Sequence, residues 1–237
     1  MQKIRLPQTQ IPAYSMTLPV SGIATKYRPF LVKEEKVLLI ALQSDDPNQV
    51  IDAIRNIILS CTYNSIDTKK IPAADSSYAM LQIRAKSIGE EVKPSIKCGN
   101  CQTSTPVRIN VEKISLSVDE PKEKLSPNIK ISDEVTLIMR QPTIHDLDVT
   151  KDQTTMLFEM VFSCIDKVMY KDKVYDRGDV NEEDVLLLGD SLLPQQFKQI
   201  ADYLNSSPSL SYHFDYICPS CKSKVNVDLK SISDFFL

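Results

Sequence analysis

Four of the six cysteines fall into two short pairs, Cys98-Gly-Asn-Cys101 and Cys218-Pro-Ser-Cys221. A CxxC spacing lets both thiolates of a pair reach one ion at about 2.3 Å, and two such pairs complete a tetrahedral four-cysteine zinc site. The pattern therefore predicts one structural Zn2+ per chain, held by Cys98, Cys101, Cys218 and Cys221. Two other chemistries fit the spacing. A redox CxxC usually sits at a helix N-terminus, where the thiol pKa falls, whereas both pairs here lie between strand-like segments. An iron–sulfur cluster also takes four thiolates, but nothing else in the chain suggests electron transfer. His213 stands five residues before Cys218 and is a fifth candidate ligand, although four thiolates already fill a structural site.

No catalytic constellation accompanies the cysteines, and the chain is expected not to be an enzyme. The two histidines, His145 and His213, have no triad motif around them. His145, in Pro142-Thr-Ile-His-Asp146, is expected to cap a local turn. With five glycines there is no GxGxxG and no Walker pattern. Cys61 and Cys164 lie on apolar stripes at helical spacing and are expected in the core.

The elements that must position the four thiolates look duplicated. After Cys101 comes Val107-Arg-Ile109-Asn-Val111-Glu-Lys-Ile114-Ser115; after Cys221 comes Val225-Asn-Val227-Asp-Leu229-Lys-Ser-Ile232-Ser233. Both read V-x-[IV]-x-[VL]-x-x-I-S, a half-buried strand signature, with two extra residues before the first valine. Upstream, the stripe Val50, Ile51, Ile54, Ile57, Ile58, Cys61 ends in Ser-Cys, as does Leu157, Met160, Val161, Cys164. The expected fold is α+β: two similar helical-plus-strand halves joined through a shared four-cysteine zinc-ribbon-like site. Its parts are an extended segment 1–30, a first half 31–116, a linker 117–134 and a second half 135–237. Helices are expected near 33–43, from Asp46 onward, and at 76–88, 182–189 and 194–204. Strands are expected at Val135 to Met139 and in a hairpin turning at Lys171-Asp172-Lys173.

Composition bounds the partners. Hydrophobic content of 42% and charged content of 25% are ordinary for a globular chain. The apolar run Val37 to Leu42 is too short to span a bilayer, so no membrane role is expected. The N-terminus MQKIRLPQTQIPAYS lacks an apolar signal region, which suggests synthesis where free thiols persist. A net charge of −3 argues against nucleic acid as the main partner. So does the scarcity of basic residues beside the knuckles (Lys97, Arg108, Lys222, Lys224). Prolines separate Ile4, Leu6, Ile11, Tyr14 and Leu18, which could pair with a partner's sheet or pack on the chain's own core. The C-terminal Phe235-Phe236-Leu237 reads as a core plug or a docking tip.

LPQTQIPAYSMTLPVSGIATKYRPFLVKEEKVLLIAL, LQIRAKSIGE, IKCGNC, FDYICPSC and SDFFL, taken in order, resemble one family: the baseplate hub assembly proteins of T4-like contractile-tailed bacteriophages. YRPFLVKEEKVLL and LQIRAKSIGE are the most specific pieces. The resemblance implies a non-enzymatic structural or assembly role in the tail baseplate hub, with other hub and tail proteins as partners. It also implies metal ligation by Cys98, Cys101, Cys218 and Cys221, and a location in the host cytoplasm during assembly or in the virion tail. The alternative is a zinc-ribbon regulator that binds nucleic acid or a transcription component.

Overall fold

Prolines punctuate the N-terminal stretch into two short antiparallel strands, β1 (Tyr14–Thr17) and β2 (Ala24–Tyr27). These belong to a computed structural model that describes residues 10–44, 46–111, 114–117, 125–146 and 152–229. The loop joining them turns at Gly22, whose φ of 71° suits a residue without Cβ. Its Val20 and Ser21 N–H groups both donate at 2.8 Å to the fully buried Asp75 carboxylate. Three helices follow: α1 (Val32–Gln43), α2 (Pro47–Cys61) and α3 (Ala73–Ile88). Asp46 caps α2 by accepting from the Asn48 N–H at 3.0 Å. Glu34 reaches back to the Leu31 N–H at 2.7 Å and closes the first turn of α1. Ile54, Ile57, Ile58 and Cys61 of α2 face Met16, Leu18, Tyr27 and Leu38, forming a first core cluster.

Four short strands carry the chain away from α3. β4 (Ser95–Lys97) pairs with β5 (Ser104–Pro106), inside an outer pair of β3 (Glu91–Val92) and β6 (Ile109–Asn110). Beyond them lies β7 (Ser115–Ser117). The next unit is an antiparallel sheet of order β11-β10-β9-β8, built from β8 (Asn128–Lys130), β9 (Val135–Met139), β10 (Ile165–Tyr170) and β11 (Lys173–Asp176). Lys171 and Asp172, both at positive φ, make the two-residue turn between β10 and β11. Packed on this sheet are α4 (Gln153–Ser163), α5 (Glu182–Asp190) and α6 (Pro194–Asn205), forming a second cluster around Leu137, Val161, Cys164 and Ile200. Gly189 lets α5 close on α4: a Cβ there would overlap the Phe162 ring.

The last two strands return to the first half. β12 (Ser209–Ile217) pairs with β13 (Lys224–Leu229) and, at its start, with β7. Val227 and Leu229 of β13 pack with Leu81 and Ala85 of α3 and with Val92, Ile109 and Val111, making a third cluster shared by both halves. The segment 140–146 adds polar ties. The Ala73 N–H donates to the Pro142 carbonyl at 2.8 Å, Arg55 donates to the Ile144 carbonyl at 2.9 Å, and His145 Nε2 lies 3.1 Å from Thr68 Oγ1. Burial, followed by the charges of Arg55 and Lys69, holds the His145 pKa below its usual value.

Two arginines are wired alike. The Arg28 N–H, just after β2, donates to the Cys61 carbonyl at the end of α2; the Arg140 N–H, just after β9, donates to the Cys164 carbonyl at the end of α4; both are 2.9 Å. Each guanidinium binds a carboxylate six residues on: Arg28 to Glu34 at 2.9 Å, and Arg140 to Asp146 at 2.7 and 2.9 Å. Each also contacts the serine that precedes the cysteine, Ser60 through its hydroxyl and Ser163 through its carbonyl. Each carboxylate in turn accepts a backbone N–H three residues back, from Leu31 and Thr143, at 2.7 Å. Burial alone would raise the Glu34 and Asp146 pKa values, but these hydrogen bonds outweigh it and both lie below the ordinary carboxylate range.

Several expectations meet a different structure. His145 does not cap its turn; Asp146 does, through the N–H and hydroxyl of Thr143, while the imidazole reaches Thr68. The third helix begins at Ala73, three residues before the expected Ser76, because the Pro142 carbonyl satisfies its first free N–H. β8 lies inside the segment read as a linker, where Ile129 supplies a buried residue to the sheet. Ile4, Leu6, Phe235-Phe236-Leu237, Ile232-Ser233 and the core of the polar linker, 118–124, lie outside the described residues.

Candidate metal centre

Each CxxC occupies the turn of a β-hairpin, β4–β5 for the first and β12–β13 for the second. The two turns repeat one backbone pattern. Cys98 N–H donates to the Thr103 carbonyl at 3.0 Å, and Gln102 N–H returns to the Cys98 carbonyl at 2.9 Å. Cys218 N–H donates to Ser223 at 2.9 Å, and Lys222 N–H returns to Cys218 at 3.0 Å. Closing such a turn forces the residue after the second cysteine into the left-handed region: φ is 58° at Gln102 and 61° at Lys222. Residues of the second turn stand a constant 120 positions after their counterparts, from Cys98 and Cys218 to the strand residues Ser104 and Lys224. The two extra residues expected in the first unit therefore do not fall within the hairpin.

All four thiol sulfurs lie within 4.8 Å of one another. Across the pairs, Cys98 Sγ is 3.7 Å from Cys221 Sγ, and Cys101 Sγ is 3.6 Å from Cys218 Sγ. Thiolates about 2.3 Å from a tetrahedral zinc stand roughly 3.8 Å apart, so the donor set fits such an ion in kind, number and spacing. Cys98 and Cys218 are fully buried, while Cys101 and Cys221 are half-buried. The backbone N–H groups of Cys101 and Asn100 lower the Cys98 pKa, which favours thiolate. The Ser223 hydroxyl and N–H lower that of Cys221 to about 5. At Cys218 the Cys221 N–H acts in the same direction, but burial and the neighbouring thiols outweigh it and the net shift is upward. A four-thiolate set leaves no open position for a substrate, so a metal held there would tie residues 98–101 to residues 218–221 of the same chain.

Thr103 and Ser223 were not singled out in the sequence, although both touch the site. The Cys101 thiol donates to Thr103 Oγ1 at 3.3 Å, and Ser223 Oγ lies 2.8 Å from Cys221 Sγ. The available signal was the longer pattern C-x-x-C-x-[ST], which occurs in both knuckles. His213 is not part of the centre. It faces Asp228 across the β12–β13 pair, Nδ1 to Oδ1 at 2.6 Å, on an exposed surface. Cys61 and Cys164 are fully buried in the first and second clusters, and burial pushes each thiol up to about 11.

The molecule is an α+β chain whose two β-hairpin turns meet in a four-cysteine centre able to hold a metal ion. The chain belongs to the family of T4 bacteriophage base plate proteins, which it matches over residues 11–237. No curated protein and no solved structure matches it. Membership makes it a phage baseplate protein, with other baseplate proteins as its neighbours and the virion tail as its place. No helix among the described residues is long and apolar enough to cross a membrane.

Proposed function

We propose that this protein is a non-enzymatic structural or assembly component of the central hub of the baseplate, and that one structural Zn2+ at Cys98, Cys101, Cys218 and Cys221 locks its two halves together. The observation that carries the reading is the family match across residues 11–237. The four-cysteine centre gives it physical sense. A protein that must hold its shape within a large assembly gains from tying residues 98–101 to residues 218–221 by metal–thiolate bonds, since the binding free energy of such a site is also folding free energy. The same reading extends to the chain's origin: the two halves descend from one duplicated unit. Support comes from the matching arginine clasps and from the constant spacing of the two knuckles.

Native mass spectrometry of the chain isolated from infected cells, without reductant or chelator, tests the proposal. One zinc per chain with hub proteins attached is the expected result. A metal-free chain overturns the zinc half of the reading. A chain carrying nucleic acid or polymerase subunits overturns the hub half and favours the regulator alternative. Stoichiometry in purified tails then separates a resident subunit from a factor that leaves after assembly.

A further inference from the structure

Two helices carry aliphatic residues on the wrong side. The inner face of α1 is Glu34, Leu38 and Ala41, while Val32, Val37, Leu39 and Ile40 lie on its outer face, each at least half exposed. Leu186 and Leu187 project outward from α5 and Leu193 from the turn after it, again half exposed or more, beside the exposed Phe158. Phe158 stacks on Phe197 with ring centroids 4.5 Å apart. Both rings line a groove of about 490 Å³ together with Phe162, Gly189 and Leu192. An amphipathic helix normally turns such residues inward, and clustered exposed ones mark interaction surfaces.

The exposed charges on the two faces are opposite, with Glu35, half-buried one turn before Leu39, at the edge of the α1 face. On α1, Lys33, Val37 and Ile40 follow one another at helical spacing, as do Lys36 and Leu39; both lysines are exposed. Lys33 also lies 3.6 Å from Glu34, with its own side chain 71% exposed. On α5, Glu183 and Asp190 bracket Leu187 one turn to either side, with Asp184 next to Glu183, and all three are exposed. Glu182, at the same end, pairs with Arg177. Each patch thus offers exposed aliphatic residues on a helix, with exposed charges of the sign opposite to those of the other patch of the same chain.

We infer that the α1 face of one copy docks on the α5 face of a second copy, Lys33 and Lys36 opposite Glu183, Asp184 and Asp190. Because the two surfaces differ, the contact is head-to-tail, and it closes into a ring or continues as a filament. Rim charges of this kind set orientation and partner choice, and like charges brought face to face oppose association.

Sedimentation velocity on the full chain, over a range of protein and salt concentrations, reads the contact directly. The wild-type chain is expected to associate, less so at high salt. The double variant Lys33→Glu/Lys36→Glu and the double variant Glu183→Lys/Asp190→Lys each bring like charges together, and each alone should associate about tenfold more weakly or worse. Mixed one to one, they restore opposite charges at every contact between unlike copies and should associate more tightly than either alone. All the substituted residues are exposed, and unchanged thermal melts of both variants verify intact folding. A wild-type chain that stays monomeric at every concentration overturns the inference. So does a pair of variants whose mixture associates no better than either alone, because the contact would then lie elsewhere or belong to another protein.

Discussion

Arg28 and Arg140 make nearly the same bonds in different company. The side chain of Arg28 is 10% exposed and that of its partner Glu34 is 9% exposed; Arg140 is 32% exposed over an Asp146 that is 7% exposed. Glu34 relies on Arg28, the Leu31 N–H and the Ser60 hydroxyl. Asp146 has the N–H and hydroxyl of Thr143 besides two guanidinium bonds. The comparison teaches that one hydrogen-bond scheme can serve two cores with different reliance on the ion pair. In the first cluster the charges are sealed from water, so either one alone is costly. In the second, the arginine meets solvent, while its carboxylate, just as buried, is also held by a local turn. The two knuckles differ less. Both use the same turn, the same left-handed residue and a hydroxyl two residues after the second cysteine.

The largest effect should come from the element both halves share. Cys218→Ser leaves three thiolates, and a structural zinc contributes on the order of 10 kcal/mol in small modules. Loss of the metal together with a large drop in melting temperature is expected, and chelation of the wild type should have the same effect. Full retention of both metal and melting temperature would mean the four cysteines are not the tie between the halves.

Next come the clasps. Arg28→Met removes the buried charge partner of Glu34, leaving it the Leu31 N–H, the Ser60 hydroxyl and the exposed Lys33. It should cost about 3 kcal/mol in urea unfolding, the low end of the penalty for removing one partner of a buried pair. Arg140→Met should cost less: Asp146 is as buried as Glu34, but the arginine removed is itself one-third exposed, and the N–H and hydroxyl of Thr143 still hold the carboxylate. Equal losses would erase the distinction drawn between the two cores. Acid sharpens the same point. Glu34 and Asp146 have folded pKa values below their unfolded ones, so their stabilisation is present above the unfolded values, near pH 4. It is lost as pH falls through the lower, folded ones. A wild-type stability curve should therefore fall below about pH 4, and each Arg→Met variant should flatten it.

Cys61 and Cys164 serve as built-in reporters of the two cores. With thiols raised to about 11 by burial, neither should react with an alkylating reagent at pH 8 in the native protein. The order in which they become reactive under increasing denaturant shows which core opens first. The smallest effect is expected at the knuckles. Gln102→Gly and Lys222→Gly relieve left-handed backbone at φ 58° and 61°. Each should change stability by no more than about 1 kcal/mol, since relief of strain is set against the added freedom of the unfolded chain. Similar shifts at both positions would support one turn used twice.

Much of the helical part was legible in the sequence because it is local. α1, α5 and α6 lie within a residue or two of their expected bounds, and the Asp46 start of α2 is a cap made within three residues of chain. The four cysteines of the centre were legible for the same reason: each pair is a four-residue motif. The position of the second half on the first was not. It depends on the segment 140–146 lending carbonyls to Arg55 and Ala73, contacts that span scores of residues and leave no periodic trace. Nor was the role of Arg28, whose partners Glu34 and Ser60 meet only when the fold brings the end of β2 against α1 and α2.

Local chain chemistry set the two cysteine pairs, the apolar stripes that became two helical cores, and the turns that close within a few residues. Tertiary structure alone decided that α3 would be buried on two sides, supporting the first cluster with Met80 and Ile83 and the shared third cluster with Leu81 and Ala85. It also decided that Val32, Val37, Leu39 and Ile40 would be left facing outward. The physical reason is that hydrophobic burial has no preferred direction. Periodicity shows that a helix has apolar residues to cover, and only the three-dimensional arrangement decides which of them are covered.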